Sequence, residues 1–512
     1  MDFTAEPRST QSFAEKIPGR ASATQVVPAM TKKLEQPSQE VMNMSDRSRH
    51  LLRCFLFATT LTLFSIPARC IAQVTDSAGA SNAPAPPEAS SSNSTGTKET
   101  ATGTADPEPT QSTPQSVPPG GLSGLAGRAK AINRNAPTRE SWYTIDLGSK
   151  YFRGVIGGFE QGASIGLGVQ ATTADKFRFV EFRVTALTSP NLYRRFEGEA
   201  YFPQVFDKNT HADVWFDYLR RTKDNFFGIG PRIPNTSQTN FDIEQRSYNA
   251  SIYHDFKERL QVGGYFREYN SGTFRGEKDM DIPIDTLFSG DPATQPVSQW
   301  APGLLSNVKI LSFGGFAQYD LRNTAGGLTK GAYFYGRIGS AQGLKNEPAF
   351  SDYGWLEAEL DARGYIPLGS DKTSLAVRGY ASLKDPRGGS QIPFYDMSFL
   401  GGRMYGRGFK NFRFRGNNAA LGSAELRQTV WTQSEDRGLD VFGFGDAGQV
   451  WGDNRSQTDP AILANKDFDS SNWRASVGGG VQYRYSRGFA GRIEIGHSHE
   501  RNLIYFSITR GF

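Results

Sequence analysis

The chain has 512 residues, with 57 Lys+Arg against 52 Asp+Glu and a formal charge of +5. Residues 1–72 hold 9 basic and 6 acidic residues, which leaves 48 against 46 for the rest; a balance so near zero excludes a nucleic-acid binder built on a basic surface. Of 63 aromatic residues only five, all Phe, precede residue 141, so a core or a lipid-facing surface can be built only from there on.

No segment reaches 18 apolar residues, so no transmembrane helix is predicted. Arg47, Arg49 and Arg53 flank an apolar stretch from Leu51 through Ile66, and Cys70-Ile71-Ala72 follows with small residues at cleavage spacing. This pattern predicts a secretory signal peptide over 42–72, cut after Ala72. Arg69 stands where a lipoprotein signal needs a small residue. Residues 1–41 are read as a mis-annotated or disordered extension, with Met42 or Met44 as the expected start. Both cysteines, Cys54 and Cys70, fall in the signal segment, so the mature product is expected to have no disulfide, thiolate metal site or Cys nucleophile. Residues 73–140 hold nine prolines and no aromatic, too little apolar area to offset ordering entropy. They are expected to form a disordered periplasmic segment.

From about residue 150 the dominant signal has period two. Trp473, Ala475, Val477, Gly479, Val481 and Tyr483 share one parity, and Arg474, Ser476, Gly478, Gly480, Gln482 and Arg484 the other. Leu356, Ala358, Leu360 and Ala362 alternate with Glu357, Glu359 and Asp361. Such strands have one apolar and one wet face. Sixteen are predicted: 152–159, 162–171, 177–188, 192–202, 211–220, 241–255, 260–269, 309–322, 329–341, 352–364, 373–384, 418–431, 438–450, 472–486, 489–498 and 502–512. Many exceed the roughly 5–6 residues typical of soluble sheets, and a tilted membrane-crossing strand needs about 9–11. Short connections alternate with long ones (221–240, 270–308, 385–417 and 451–471), as in outer-membrane barrels. The predicted fold is therefore all-β: residues 150–512 form a membrane-spanning antiparallel barrel of sixteen strands, with both termini on the periplasmic side. The last strand ends on an aromatic, and Phe506, Ile508 and Phe512 are similar to the assembly signal of bacterial outer-membrane barrels.

Two motifs carry a family resemblance. The connection 385–417 contains Gly401-Gly402-Arg403-Met404-Tyr405-Gly406-Arg407-Gly408-Phe409, and a later strand contains Phe444-Gly445-Asp446-Ala447-Gly448. The pair resembles the signatures of the bacterial surface antigen superfamily, which includes BamA, TamA, mitochondrial sorting and assembly barrels and two-partner secretion transporters. Phe226-Phe227-Gly228-Ile229-Gly230 is also similar to it. The resemblance implies that the loop bearing Gly401, Gly402, Arg407, Gly408 and Phe409 folds into the lumen, and that Arg407 reaches Asp446 on the wall beside Phe444 and Gly448. Parity puts Asp446 and Phe444 on one side, and lipid is a costly place for a carboxylate. The resemblance also implies protein handling: insertion, assembly or secretion of other polypeptides. Residues 73–140 are too polar and too short for a POTRA domain. The chain is thus expected to be a POTRA-less member that relies on a separate periplasmic receptor. Its expected partners are outer-membrane lipids and unfolded outer-membrane or secreted proteins. The alternative is a passive solute channel, or a surface antigen barrel displaying loops 270–308 and 451–471.

Other motifs carry less. Gly443-Phe444-Gly445-Asp446-Ala447-Gly448 fits GxGxxG, but loop-like Trp451-Gly452-Asp453-Asn454 follows where a dinucleotide site needs a helix. Gly162-Ala163-Ser164-Ile165-Gly166 fits GxSxG within an alternating strand. His497 and His499 are too few for a tight metal site. No catalytic, cofactor-binding or metal-ligating residue is assigned, and no enzyme is predicted. The first two predicted strands are glycine-rich, and pairing of strand 152–159 with strand 502–512 is expected to form a weak seam.

Overall fold

The alternation just described organises the chain from residue 142 to residue 508. The computed structural model describes this span except for residues 147–148, 158–165, 174–175, 257–258, 277–281, 292, 294, 324–327, 348–351, 435–436, 457 and 487–488. The expected extension 1–41, signal peptide 42–72 and Pro/Ser/Thr-rich segment 73–140 lie outside the described residues, as do Phe512 and most of the GxSxG stretch.

The strands are β1 (Trp142–Asp146), β2 (Phe152–Gly157), β3 (Leu167–Thr172), β4 (Glu181–Thr188), β5 (Arg194–Phe202), β6 (Thr210–Phe226), β7 (Thr239–Phe256), β8 (Leu260–Arg275), β9 (Ile282–Pro283), β10 (Asn307–Asp320), β11 (Gly331–Glu347), β12 (Gly354–Leu368), β13 (Ser370–Pro386), β14 (Ser398–Leu400), β15 (Phe414–Gly416), β16 (Asn418–Thr432), β17 (Gly438–Trp451), β18 (Arg474–Ser486), β19 (Phe489–Ser498) and β20 (Asn502–Ile508). Antiparallel ladders run in chain order from β1 to β8, from β8 to β10, on to β13, from β13 to β16, and then to β20. β9 lies parallel to β7, and β14 pairs only with β15 inside the connection between β13 and β16. All sixteen predicted strands are present.

One further strand precedes them. β1 pairs with β2, Trp142 opposite Gly157 and Asp146 opposite Arg153, while the other edge of β2 is taken by β3. The expected seam between 152–159 and 502–512 is therefore corrected: both edges of β2 are taken over Arg153–Ile156, and among the described residues the outermost strands are β1 and β20. Alternation missed β1 because five residues carry little periodic signal. Trp142 also lies level with the end of β2 that leads into 158–166, the end of the long connections, whereas Ile508 lies level with Gly491 at the opposite end.

The sheet curls on itself, because segments far apart in the ladder meet inside it. Arg232, between β6 and β7, bonds Asn472 and Ser471 between β17 and β18. Arg455 of that second connection donates to the carbonyls of Ser298 and Trp300, before β10. The strands between β1 and β20 in the ladder thereby have neighbours on both sides within the hydrocarbon layer, where unpaired backbone groups are costly. The outward face carries the apolar parity: Phe182, Phe266, Ile338, Val477, Ile495 and Phe506 are all exposed. The inward face carries Arg183, Glu199, Glu357, Asp361, Glu425 and Arg492, all buried. The result is a membrane-spanning β-barrel with a charged inner face.

Strands β6, β7 and β8 have 17, 18 and 16 residues, longer than the predicted segments. Their extra length lies towards the long connections, where neighbouring ladders persist after the apolar–polar pattern has ended. Those connections cap that end. Phe226, Ile284, Phe288, Leu304, Ile392 and Phe394 form one buried cluster there. Loops 270–308 and 451–471 are accordingly packed against the barrel in part.

Candidate functional site

The segment between β13 and β16 turns inward, and glycines at left-handed backbone angles let it do so. Gly401, Gly402, Gly406 and Gly408 all have positive φ, from 91° to 122°. An ideal Cβ on Gly401 would lie 2.1 Å from the Lys410 carbonyl oxygen, so the turn admits no larger residue. Gly401 donates to the Tyr405 carbonyl at 2.7 Å and Gly402 to the Phe409 carbonyl at 2.9 Å, which closes the motif into a compact knot. The loop is fixed to β13 through Arg378, which reaches the Met404 carbonyl at 2.5 Å and both carboxylate oxygens of Asp361 at 3.0 Å.

Arg407 is 3% exposed. Its Nε and Nη2 donate to the two oxygens of Asp446 at 2.9 and 2.8 Å, and its own backbone N–H reaches Asp446 at 3.0 Å. Nη1 donates to Glu425 at 2.8 Å and to Glu494 at 3.3 Å. Arg492 donates to both oxygens of Glu425 and to Glu494, and Arg427 bonds Glu425. Three guanidinium groups thus face three carboxylates on β16, β17 and β19, and the buried set is neutral as a whole. Bidentate, charge-assisted pairing of this kind offsets the cost of taking the charges out of water.

The wall beneath is built in layers. Ideal Cβ atoms on Gly478 and Gly480 would lie 2.5 and 2.7 Å from the tips of the Phe444 and Phe442 rings, so these glycines are the floors on which the rings lie. The guanidinium carbon of Arg407 stands 3.4 Å from the Phe444 ring centre, and that of Arg492 stands 3.6 Å from the Phe442 ring centre. Planar guanidinium groups stack on aromatic faces where an ammonium would not. Gly448 leaves room for Leu400, since a Cβ there would lie 2.9 Å from its Cδ1. Phe409 is buried with Leu400, Phe414, Ala419, Leu421 and Val450.

The loop also reaches the last strand. The Gly408 N–H donates to the Tyr505 hydroxyl at 3.2 Å, and that hydroxyl donates to the Phe409 carbonyl at 3.1 Å. Ser498 Oγ donates to the Gly408 carbonyl at 2.7 Å. Tyr505→Phe is expected to cost about 1–2 kcal/mol, because it leaves the Gly408 N–H without its partner, while the Phe409 carbonyl keeps the Gly402 N–H. Urea unfolding of the purified barrel measures it; an unchanged midpoint would show that the hydroxyl holds nothing. The cavity beside Arg407, lined by Arg403, Met404, Ser423, Asp446, Arg492 and Glu494, measures about 10 Å³. That is the size of a single water site, too small for a solute.

The structure thus brings together Arg407, Gly408, Phe444 and Asp446, and seats Gly401, Gly402, Phe409 and Gly448 around them. Phe506 points outward at 64% exposure, Ile508 is half-buried, and Phe512 lies outside the described residues. Sequence reasoning singled out neither Glu425, Arg492, Glu494 and Phe442 nor Gly496 and Tyr505. All six sit on the inward parity of their strands, and charges alternating with Leu426, Ile493 and Ile495 were the available signal. Residues 443–448 lie wholly within β17, as a wall strand and not a phosphate loop. His497 shares a hydrogen bond with Asn502 at 2.6 Å, while His499 lies beyond the end of β19. Among the described residues no group of three or more His, Cys, Asp or Glu could hold a metal.

A family model described as the Omp85 superfamily domain matches residues 183–494. No curated protein matches the sequence. Similar solved structures include BamA from Haemophilus ducreyi lacking POTRA domains 1–3, with 16% identity over 75% of this chain and 76% of that one and a TM-score of 0.49. They also include CdiB from Escherichia coli, with 12% identity, coverage of 76% and 70% and a TM-score of 0.45. CdiB from Acinetobacter baumannii is similar at 12% identity, 75% and 68% coverage and a TM-score of 0.41.

Proposed function

The chain belongs to the Omp85 superfamily, and from that premise we propose that it is an outer-membrane barrel that handles other polypeptides, assisting their insertion, assembly or secretion. The observation that carries the reading is the Arg407 clamp. A neutral six-residue ionic set holds a lumen loop against β17 and β19 and, through Tyr505, against β20. A passive wall needs no inward loop tied to its last strand. The cavity beside the clamp, about 10 Å³, is too small for a solute to pass there.

In this reading the clients are unfolded outer-membrane or secreted proteins, a separate periplasmic receptor delivers them, and the short connections face the periplasm. Client strands would be templated at the junction of β1 and β20, because exposed strand edges pair readily with another chain. Quantitative outer-membrane proteomics after depletion tests the function. Wild type is expected to restore a defined set of barrels or secreted proteins that Arg407→Ala does not restore. If no other membrane protein changes on depletion, the reading fails. Edge templating has its own test. Cysteine pairs placed between Trp142–Asp146 and Asn502–Ile508, in a background without Cys54 and Cys70, are expected to abolish that restoration on oxidation. Full activity of the crosslinked barrel would count against an opening edge.

A further inference from the structure

The outward wall of β4–β7 is not evenly covered. Gly198 and Ala200 of β5 form the floor of a groove of about 500 Å³, bounded by Phe182, Val184, Phe216 and Tyr248. The space above Gly198 is open, as an added Cβ would meet nothing within 4 Å. Phe216 and Tyr248 close one side with ring centres 5.3 Å apart. This parity faces lipid, so the groove is an apolar slot within the hydrocarbon layer.

Register sets three arginines above it, towards the end of the long connections. Gly198 lies opposite Phe216, and Phe216 opposite Tyr248. One outward step higher, Tyr218 lies opposite Arg246. One step higher again, Arg194 lies opposite Arg220. Arg194 is thus four residues along β5 from Gly198, roughly 13 Å at strand rise. All three face outward and are exposed. Carboxylates neutralise them unevenly. Arg246 pairs with Glu244 at 2.8 Å, Arg220 meets Asp242 only at 3.8 Å, and Arg194 makes no ion pair among the described residues. Two like charges directly opposite one another on neighbouring strands repel. An anion between Arg194 and Arg220 would remove that cost, and guanidinium groups suit phosphate.

We propose that this face is a binding site for a phosphorylated acyl lipid of the leaflet at the loop end, with an acyl chain along Gly198 and Ala200 and a headgroup phosphate between Arg194 and Arg220. The site is separate from the lumen clamp and does not depend on protein handling.

Native mass spectrometry of the full chain released from detergent tests it, with dipalmitoyl phosphatidic acid, dipalmitoyl phosphatidylcholine and inorganic phosphate as probes. Wild type is expected to retain phosphatidic acid in preference to phosphatidylcholine. Arg194→Gln with Arg220→Gln is expected to weaken phosphatidic acid retention about 30-fold, the effect of losing two interfacial cations, and to weaken phosphatidylcholine less, because its choline ammonium offsets the phosphate charge. Gly198→Phe is expected to weaken both lipids. Heat-modifiable migration verifies that each variant is folded; if Gly198→Phe fails to fold, the arginine pair decides alone. Equal retention of phosphatidic acid by wild type and the arginine variant overturns the proposal. So does displacement of phosphatidic acid by inorganic phosphate at equal concentration, which would mark an anion site without a lipid.

Discussion

Arg407→Ala is expected to lower the unfolding free energy of the barrel by about 3–5 kcal/mol, the range for breaking one side of a buried ion pair. The cost falls mainly on Asp446. Glu425 keeps Arg427 and Arg492, and Glu494 keeps Arg492. Asp446 is 4% exposed and would retain only the backbone N–H of residue 407. Arg407→Lys is expected to recover only part of the loss, since an ammonium supplies neither the bidentate fork nor the face that stacks on Phe444. Urea titration of the barrel in detergent measures each change. The decisive comparison is a double-mutant cycle with Asp446→Ala. A coupling of about 1–3 kcal/mol is expected for groups in one network, and strict additivity would show that the two residues do not act as a clamp. Protease cleavage between residues 401 and 413 should rise in parallel with the loss, because that segment is what the clamp holds.

Gly496→Val is expected to be the most damaging change to the wall alone. An ideal Cβ at residue 496 would lie 2.6 Å from the backbone nitrogen of Gly408 and 3.0 Å from the carbonyl carbon of Arg407. Those are backbone atoms of a knotted turn, so they cannot rotate aside. The loop must lift from β19, and Arg407 must lift with it. Overpacking of this kind costs about 1–3 kcal/mol in itself, and loss of the Asp446 contacts adds to it. Gly408→Val meets the same obstacle from the other side, 3.0 Å from the His497 carbonyl carbon and the Ser476 Cβ, at a φ of +94° that disfavours any side chain. The loop is seated on the wall as glycine against glycine. The combination of Gly496→Val with Arg407→Ala should therefore be little worse than the more harmful single change. Summed losses would mean that the glycine contact and the ionic clamp are independent.

Much of this was legible in the chain itself. Period-two alternation located the sixteen strands and assigned each residue a face, because burial in a barrel wall repeats every second residue. Glutamates 357 and 359, Asp361 and Asp446 lie inward as their parity requires. The uneven spacing of connections separated the capped end from the turn end. The glycine-rich motif marked a segment that could fold back on itself, since only glycine tolerates the backbone angles at 401, 402, 406 and 408.

What alternation lacks is height. A period of two states which side of the wall a residue faces, but not which residue stands level with it on the next strand; that depends on the stagger between neighbours. Glu425, Asp446 and Glu494 come from three strands, and only the registers of β16 on β17, β17 on β18 and β18 on β19 bring their carboxylates around one guanidinium. The same holds on the outer face, where Arg194 and Arg220 look unrelated until the register of β5 on β6 sets them opposite. β1 is a still plainer case. Five residues carry no readable period, and what makes them a strand is the edge of β2 beside them. Local pattern therefore determined the faces of this barrel, while the sites on those faces were decided by stagger, a property of strand pairs that no single strand encodes.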